Sequence, residues 1–224
     1  MAVVAVVGVL SSVIDGPEQP TVSGPSADAD VSDALSGDEV TPKSEDEPSG
    51  EAVKALLNGC RALLAEQSPA LRAADRSLDQ WGVHVDAMNQ LVAGEITLDQ
   101  AHAFWEQSRN RASRRVALFE QAETRVRAKR SGCPREVDPG DTAGDTSRLR
   151  PCVRDVNDRT AVIAVAATSI AAWNHHIHDM ELLRAGEITP EQATQMWLES
   201  WREGQRELDA YHDAARGVPD GDSC

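Results

Sequence analysis

The chain has 224 residues, with 37 Asp and Glu against 22 Lys and Arg and a formal charge of −15. An acidic chain without a reader motif is a poor match for nucleic acid, whose phosphates call for clustered cations. The sequence has no Gly-x-Ser-x-Gly elbow, no glycine-rich phosphate loop and no paired metal carboxylates, so it signals no enzyme class.

Ala2 to Ile14 is nearly all apolar. That run is too short to span a bilayer, which takes about 20 residues. It has the length of a signal h-region but lacks a basic n-region. We expect residues 1–14 to be the tail of a signal peptide or membrane anchor that starts upstream. A longer N-terminus would then tether the protein peripherally at the membrane, outside the cytoplasm. From Asp15 to Gly50 ten acids stand against Lys43 alone, with Pro17, Pro20, Pro25, Pro42 and Pro48 and no aromatic residue. Such a stretch cannot bury enough apolar surface to offset chain entropy, so residues 15–50 read as a disordered acidic linker.

The remainder contains itself twice. Trp81 to Trp105 returns as Trp173 to Trp197 at an offset of 92 residues, without a gap and with 12 identities in 25 positions. Internal repetition decides architecture before any residue-level reading. In the first copy, residues 51–133, Leu64, Leu71, Leu78 and Val85 recur every seven residues, interleaved by Ala74, Trp81 and Met88. In the second, residues 152–224, Val156, Ile163, Ile170 and Ile177 are interleaved by Ala166, Trp173 and Met180. Each pattern is the apolar stripe of one long helix, with Pro69 marking a kink or restart in the first.

Ala-Gly-Glu-Ile-Thr at 93–97 and 185–189 reads as a connector. Gly94 and Gly186 sit where a helix end wants a left-handed residue. Thr97 with Gln100, and Thr189 with Gln192, have capping-box spacing, and Pro190 falls at the first helical position. Second helices are expected over Leu98–Arg130 and Pro190–Arg216. Their inward faces pair Ala101/Ala193, Trp105/Trp197, Ser108/Ser200, Ala112/Gly204 and Phe119/Tyr211. A Pro/Gly/Asp-rich joint, 134–151, separates the copies. The predicted fold is all-α: tandem duplicated antiparallel helical hairpins, four-helix-bundle-like and disulfide-stapled.

The four cysteines follow the repeat. Cys60 and Cys152 differ by 92, and Cys133 lies one residue out of register with Cys224. If each hairpin's ends lie side by side, Cys60 pairs with Cys133 and Cys152 with Cys224. If all four ends gather at one pole, Cys60–Cys224 with Cys133–Cys152 is the rival. Persistent disulfides imply an oxidising compartment.

Two motifs could carry chemistry. His84 with Met88, and His176 with Met180, are i,i+4 pairs that present an imidazole and a thioether on one helix face. Imidazole and thioether together suit Cu(I), and packed hairpins could bring the four groups together, with His102 nearby. Against this, both methionines lie on the core stripe as filler, and the histidines could simply hydrogen-bond a neighbour or stack on Trp105 or Trp197. Arg109, Arg111, Arg114 and Arg115 make the second helix of the first copy basic, while its counterpart carries Glu199, Glu203 and Glu207. These charges face each other or water, or else the arginines form a patch for an anionic surface such as phospholipid.

The strings Trp81-x-x-His84-Val85-Asp86-Ala87-Met88 and Met180-Glu181-x-Leu183-Arg184-x-Gly186-Glu187-Ile188-Thr189-Pro190, with their duplicate spacing, resemble a family of uncharacterised exported helical proteins from high-GC actinobacteria. The resemblance covers about Cys60 to Cys224. It implies export behind a signal or lipoprotein N-terminus, and it carries no activity. The expected role is a non-catalytic binding module at the cell envelope, facing an envelope protein or a lipid surface and no nucleic acid. The alternative is Cu(I) or another transition metal held by the His-x3-Met pairs; no other cofactor is implied.

Overall fold

The computed structural model describes residues 50–138, 146–218 and 224. The apolar run at 1–14 and all of the acidic linker but Gly50 lie outside them. The described residues are all-helical. In chain order they form α1 (Gly50–Ala93), α2 (Leu98–Arg109), α3 (Ala112–Lys129), a 3-10 turn (Arg130–Gly132), α4 (Thr146–Ala185) and α5 (Pro190–Ala215), with no strand among them. Two disulfides join Cys60 to Cys133 and Cys152 to Cys224, so the first of the two candidate pairings is the one present. Closing loops of 73 and 72 residues, each stabilises the fold by about 4 kcal/mol in the chain-entropy model.

The turns follow their local chemistry. Gly94 and Gly186 both have φ +74°. In the first turn Gly94 N–H donates to Leu91 and Glu95 N–H to Gln90; in the second Gly186 donates to Leu183 and Glu187 to Leu182. That double bond pattern is the Schellman closure of a helix C-terminus. Reciprocal capping boxes at Thr97/Gln100 and Thr189/Gln192 then start α2 and α5.

Three boundaries differ from expectation. Pro69 lies inside α1 without ending it; it forfeits one helical hydrogen bond, and the Ser68 hydroxyl donates to the Leu64 carbonyl at 3.2 Å beside it. α4 opens at Thr146 and runs through Pro151, so the last part of the expected joint is helical. The helix expected over Leu98–Arg130 is interrupted at Asn110 and Arg111, where Arg111 takes φ 63°. Gln80 of α1 donates to the Asn110 carbonyl at 2.7 Å and fastens the break. The residue 92 positions on from Gln80 is Ala172, which cannot do the same, and α5 runs unbroken from Pro190 to Ala215.

The core lies along α1 and α4. α1 packs against α3 and α4, and α4 against α1 and α5. Contacts between α1 and α4 advance together along both helices. Gln67 donates to Val156 at 3.0 Å and to Thr160 at 2.8 Å, and further along Trp81 stacks on Trp173 at 4.6 Å. α5 runs the other way along α1: Trp201 donates to Asn89 at 2.8 Å, and Tyr211, later in the chain, donates to Asp75, earlier in it. Of the expected apolar stripes, Leu64, Ala74, Leu78, Trp81 and Val85 are buried while Leu71 and Met88 are half-buried; in α4 all seven positions are buried. The expected small pairs Ala101/Ala193, Ser108/Ser200 and Ala112/Gly204 are buried as well. At the disulfide end Gly59 and Gly132 meet backbone to backbone, because a Cβ on Gly59 would run into the Gly132 carbonyl.

Candidate functional site

The parallel course of α1 and α4 brings the two copies of the repeat's histidine together. His84 Nε2 and His176 Nε2 stand 3.0 Å apart, both side chains buried, at 7% and 5% exposure. Trp81 and Trp173 lie beside them, and the rings of Trp105 and Trp197 stand 5.9 Å from His84 and 6.0 Å from His176 respectively. The two imidazoles therefore sit in a tryptophan layer between the helices.

The hydrogen bonds fix the tautomers. The Ser108 hydroxyl lies 3.1 Å from the Trp105 carbonyl and 2.8 Å from His84 Nδ1. A carbonyl only accepts, so the serine proton goes to Trp105 and the serine oxygen accepts from His84 Nδ1–H. His84 Nε2 then carries a lone pair, and His176 Nε2–H donates to it. His176 Nδ1 is left as a bare acceptor, and it is buried without a partner. The opposite assignment would bury an unpaired N–H there and also leave the Trp105 carbonyl without the serine proton, so it is the costlier one.

The two halves are satisfied unequally. Trp105 Nε1 donates to the His84 carbonyl at 3.1 Å, whereas Trp197 Nε1 is buried without a partner. Ser200, the counterpart of Ser108, turns back to the Met196 carbonyl at 2.7 Å and leaves His176 alone. Burial pushes the His84 imidazole down to about 2, with repulsion from His176 and Arg109 adding to it. Burial, and then His175, lowers His176 to about 4. Both rings are neutral at physiological pH.

Met180 is buried and Met88 half-buried, each one turn further along the helix that carries its histidine. His102 is exposed, its ring 5.4 Å from Trp105. His175 and His178 are also exposed, and His175 Nε2 lies 3.7 Å from the buried carboxylate of Asp179. Among the described residues no group of three or more His, Cys, Asp or Glu side chains could hold a metal ion. Of the basic cluster, Arg111 and Arg114 are exposed and Arg109 and Arg115 half-buried.

A second feature is a shallow groove of about 550 Å3 between α4 and α5. Its lining includes Ala167, Thr168, Ala171 and Ala172, with His175, Glu203 and Glu207. Glu207 Oε2 is buried without a partner, and burial, reinforced by Glu203, raises its carboxyl above the ordinary range. The same positions in the first half carry larger side chains. Arg76 and Gln80 stand where Thr168 and Ala172 do, and Arg111 and Arg115 where Glu203 and Glu207 do. There Arg115 donates to the Arg76 carbonyl at 2.8 Å and Gln80 spans to Asn110.

No family model, curated protein or solved structure matches the sequence.

Proposed function

We propose that the protein is an exported, non-catalytic binding module at the cell envelope. In this reading two tandem-duplicated antiparallel hairpins, each stapled at its open end by a disulfide, close into a four-helix-bundle-like body. The α4–α5 groove receives a cationic segment of a partner protein. The observation that carries the reading is the contrast between the halves: Asp75, Arg76, Asp79 and Gln80 of the first copy give way to Ala167, Thr168, Ala171 and Ala172 in the second, while Arg111 and Arg115 give way to Glu203 and Glu207. The first copy also suggests the occupant. Arg115 occupies the place where Glu207 leaves a buried carboxylate oxygen unpaired, so a guanidinium brought from outside would supply both volume and charge there. Two disulfides and no free cysteine among the described residues support an oxidising location. The exported actinobacterial family that the sequence resembles fits the same address.

The test is titration of the disulfide-intact full chain with a fluorescent arginine-rich helical peptide, beside a variant refilled in the manner of the first half, Ala172→Gln with Glu207→Arg. Saturable binding that weakens with salt and disappears in the refilled variant is expected. Binding that is equal in both proteins sinks the groove reading. Recovery of the native protein from the cytosol with four reduced thiols sinks the exported reading.

A further inference from the structure

The histidine pair has no part in the groove, so an inference about it stands or falls separately. We propose that His84 and His176 bind one Cu(I) ion between their Nε2 atoms, with the thioethers of Met88 and Met180 as the remaining donors. Four observations lead there. The first is orientation: two neutral imidazoles from different helices face each other nitrogen to nitrogen, 3.0 Å apart. The second is the outer partner. His84 Nδ1–H is anchored on Ser108, which is anchored on Trp105. A metal-ligating histidine characteristically has this arrangement, with its far N–H held and its near lone pair presented.

The third is the unpartnered Nδ1 of His176. Metal at His176 Nε2 requires the proton to leave that nitrogen, and the bare Nδ1 of the same ring can take it, at the cost of burying an N–H without an acceptor, which the metal–nitrogen bonds must offset. Binding is then a tautomer change. The Nε2–H bond breaks, an Nδ1–H bond forms, and each Nε2 lone pair goes to the ion. No proton is released and no redox partner is needed.

The fourth is the donor set. With metal–nitrogen bonds of about 2 Å, a linear two-ligand site spans about 4 Å and a tetrahedral angle spans about 3.3 Å between nitrogens. The observed 3.0 Å is a hydrogen-bond distance, nearer the bent span than the linear one, so the smaller adjustment on binding gives a bent pair, which calls for further ligands. Among the described residues no carboxylate, thiolate or third imidazole joins, and their cysteines are all in disulfides. The thioethers one turn along each helix remain. Imidazole with thioether favours soft Cu(I) over Zn2+ or a hard cation.

The probe is Ag(I), a redox-inert stand-in for Cu(I) that spares the disulfides a reductant, added to the full chain in chloride-free buffer. Calorimetry is expected to find one ion per chain. On silver binding, the 15N signals of the His84 and His176 Nε2 atoms should shift, and those of His175 and His178 should stay. Met88→Leu with Met180→Leu preserves core volume and should weaken binding by about 10-fold or more. His84→Gln with His176→Gln should cost more than about 100-fold, since loss of an outer partner alone costs about 10- to 100-fold. The proposal is overturned by absence of 1:1 binding, or by binding that survives the glutamine pair. It is equally overturned by binding lost in His175→Ala with His178→Ala. Should the glutamine pair not fold, the wild-type nitrogen shifts decide, and unshifted His84 and His176 signals overturn it.

Discussion

Gly204 of α5 lies directly against the indole of Trp81 on α1: a Cβ at this glycine would come within 2.8 Å of ring atom Cε2. Trp81 is 1% exposed and stacked on Trp173, so it has nowhere to retreat. Gly204→Ala gains helix propensity of about 1 kcal/mol but overpacks a rigid neighbour at about 1–3 kcal/mol. The net expectation is a loss of about 0–2 kcal/mol in urea denaturation. Gly82, also inside a helix, has nothing within 4 Å of its would-be Cβ. Gly82→Ala should therefore stabilise by about 0.5–1 kcal/mol. Equal effects at the two glycines would mean that α5 does not bear on Trp81 as described.

Ser108 and Ser200 make a second internal comparison. Both are buried at matching places in the repeat. Ser108 bridges His84 Nδ1 to the Trp105 carbonyl, while Ser200 bonds only its own helix at Met196. Ser108→Ala leaves a buried imidazole N–H without an acceptor and should cost about 1–3 kcal/mol. Ser200→Ala removes only a back-bond to its own helix and should stay within about 0.5 kcal/mol of wild type. Chemical denaturation of the two alanine variants side by side checks this. If Ser200→Ala proves the costlier, the assigned asymmetry between the halves is wrong.

What could be read in the chain beforehand follows rules acting over a few residues. The connectors at Gly94 and Gly186, the capping boxes and the apolar stripes depend on neighbours within about a turn, so residue types alone carry them. The cysteine pairing was visible as one of two options because the cysteines track the repeat. The break at Asn110–Arg111 was not, since it is held from another helix by Gln80. The meeting of His84 and His176 was legible only as a condition: equal offsets put them at equal heights, but the rotation of α1 and α4 decides whether Nε2 faces Nε2. The acidic groove was hidden for the opposite reason. Glu203 and Glu207 look like ordinary solvated charges until Arg76, Gln80 and Arg115 show what their counterparts pack against.

Acid should weaken this fold through the histidine layer. An unfolded histidine has a pKa of about 6.5, whereas burial holds His84 down at about 2 and His176 at about 4. Folded-state values below unfolded ones mean that the unfolded chain binds more protons as the pH drops. Stability from the neutral pair is thus fully present above about pH 6.5 and is lost as pH falls towards 4, by the order of 3 kcal/mol per imidazole at pH 4. Asp179 and Glu207 act in the opposite sense, because burial raises both carboxyls and their protonation relieves a cost. The imidazole contribution to the slope between pH 6.5 and pH 4 is downward, and the carboxyl contribution is common to the wild type and the variant that lacks both histidines. Urea midpoints measured across that window check it, with His84→Gln and His176→Gln together as the reference that removes both titrating rings. A wild-type slope no steeper than that of the glutamine variant would mean the imidazoles are not held neutral by burial. The tautomer chain from His176 through His84 and Ser108 to Trp105 would then have to be redrawn with a charged member.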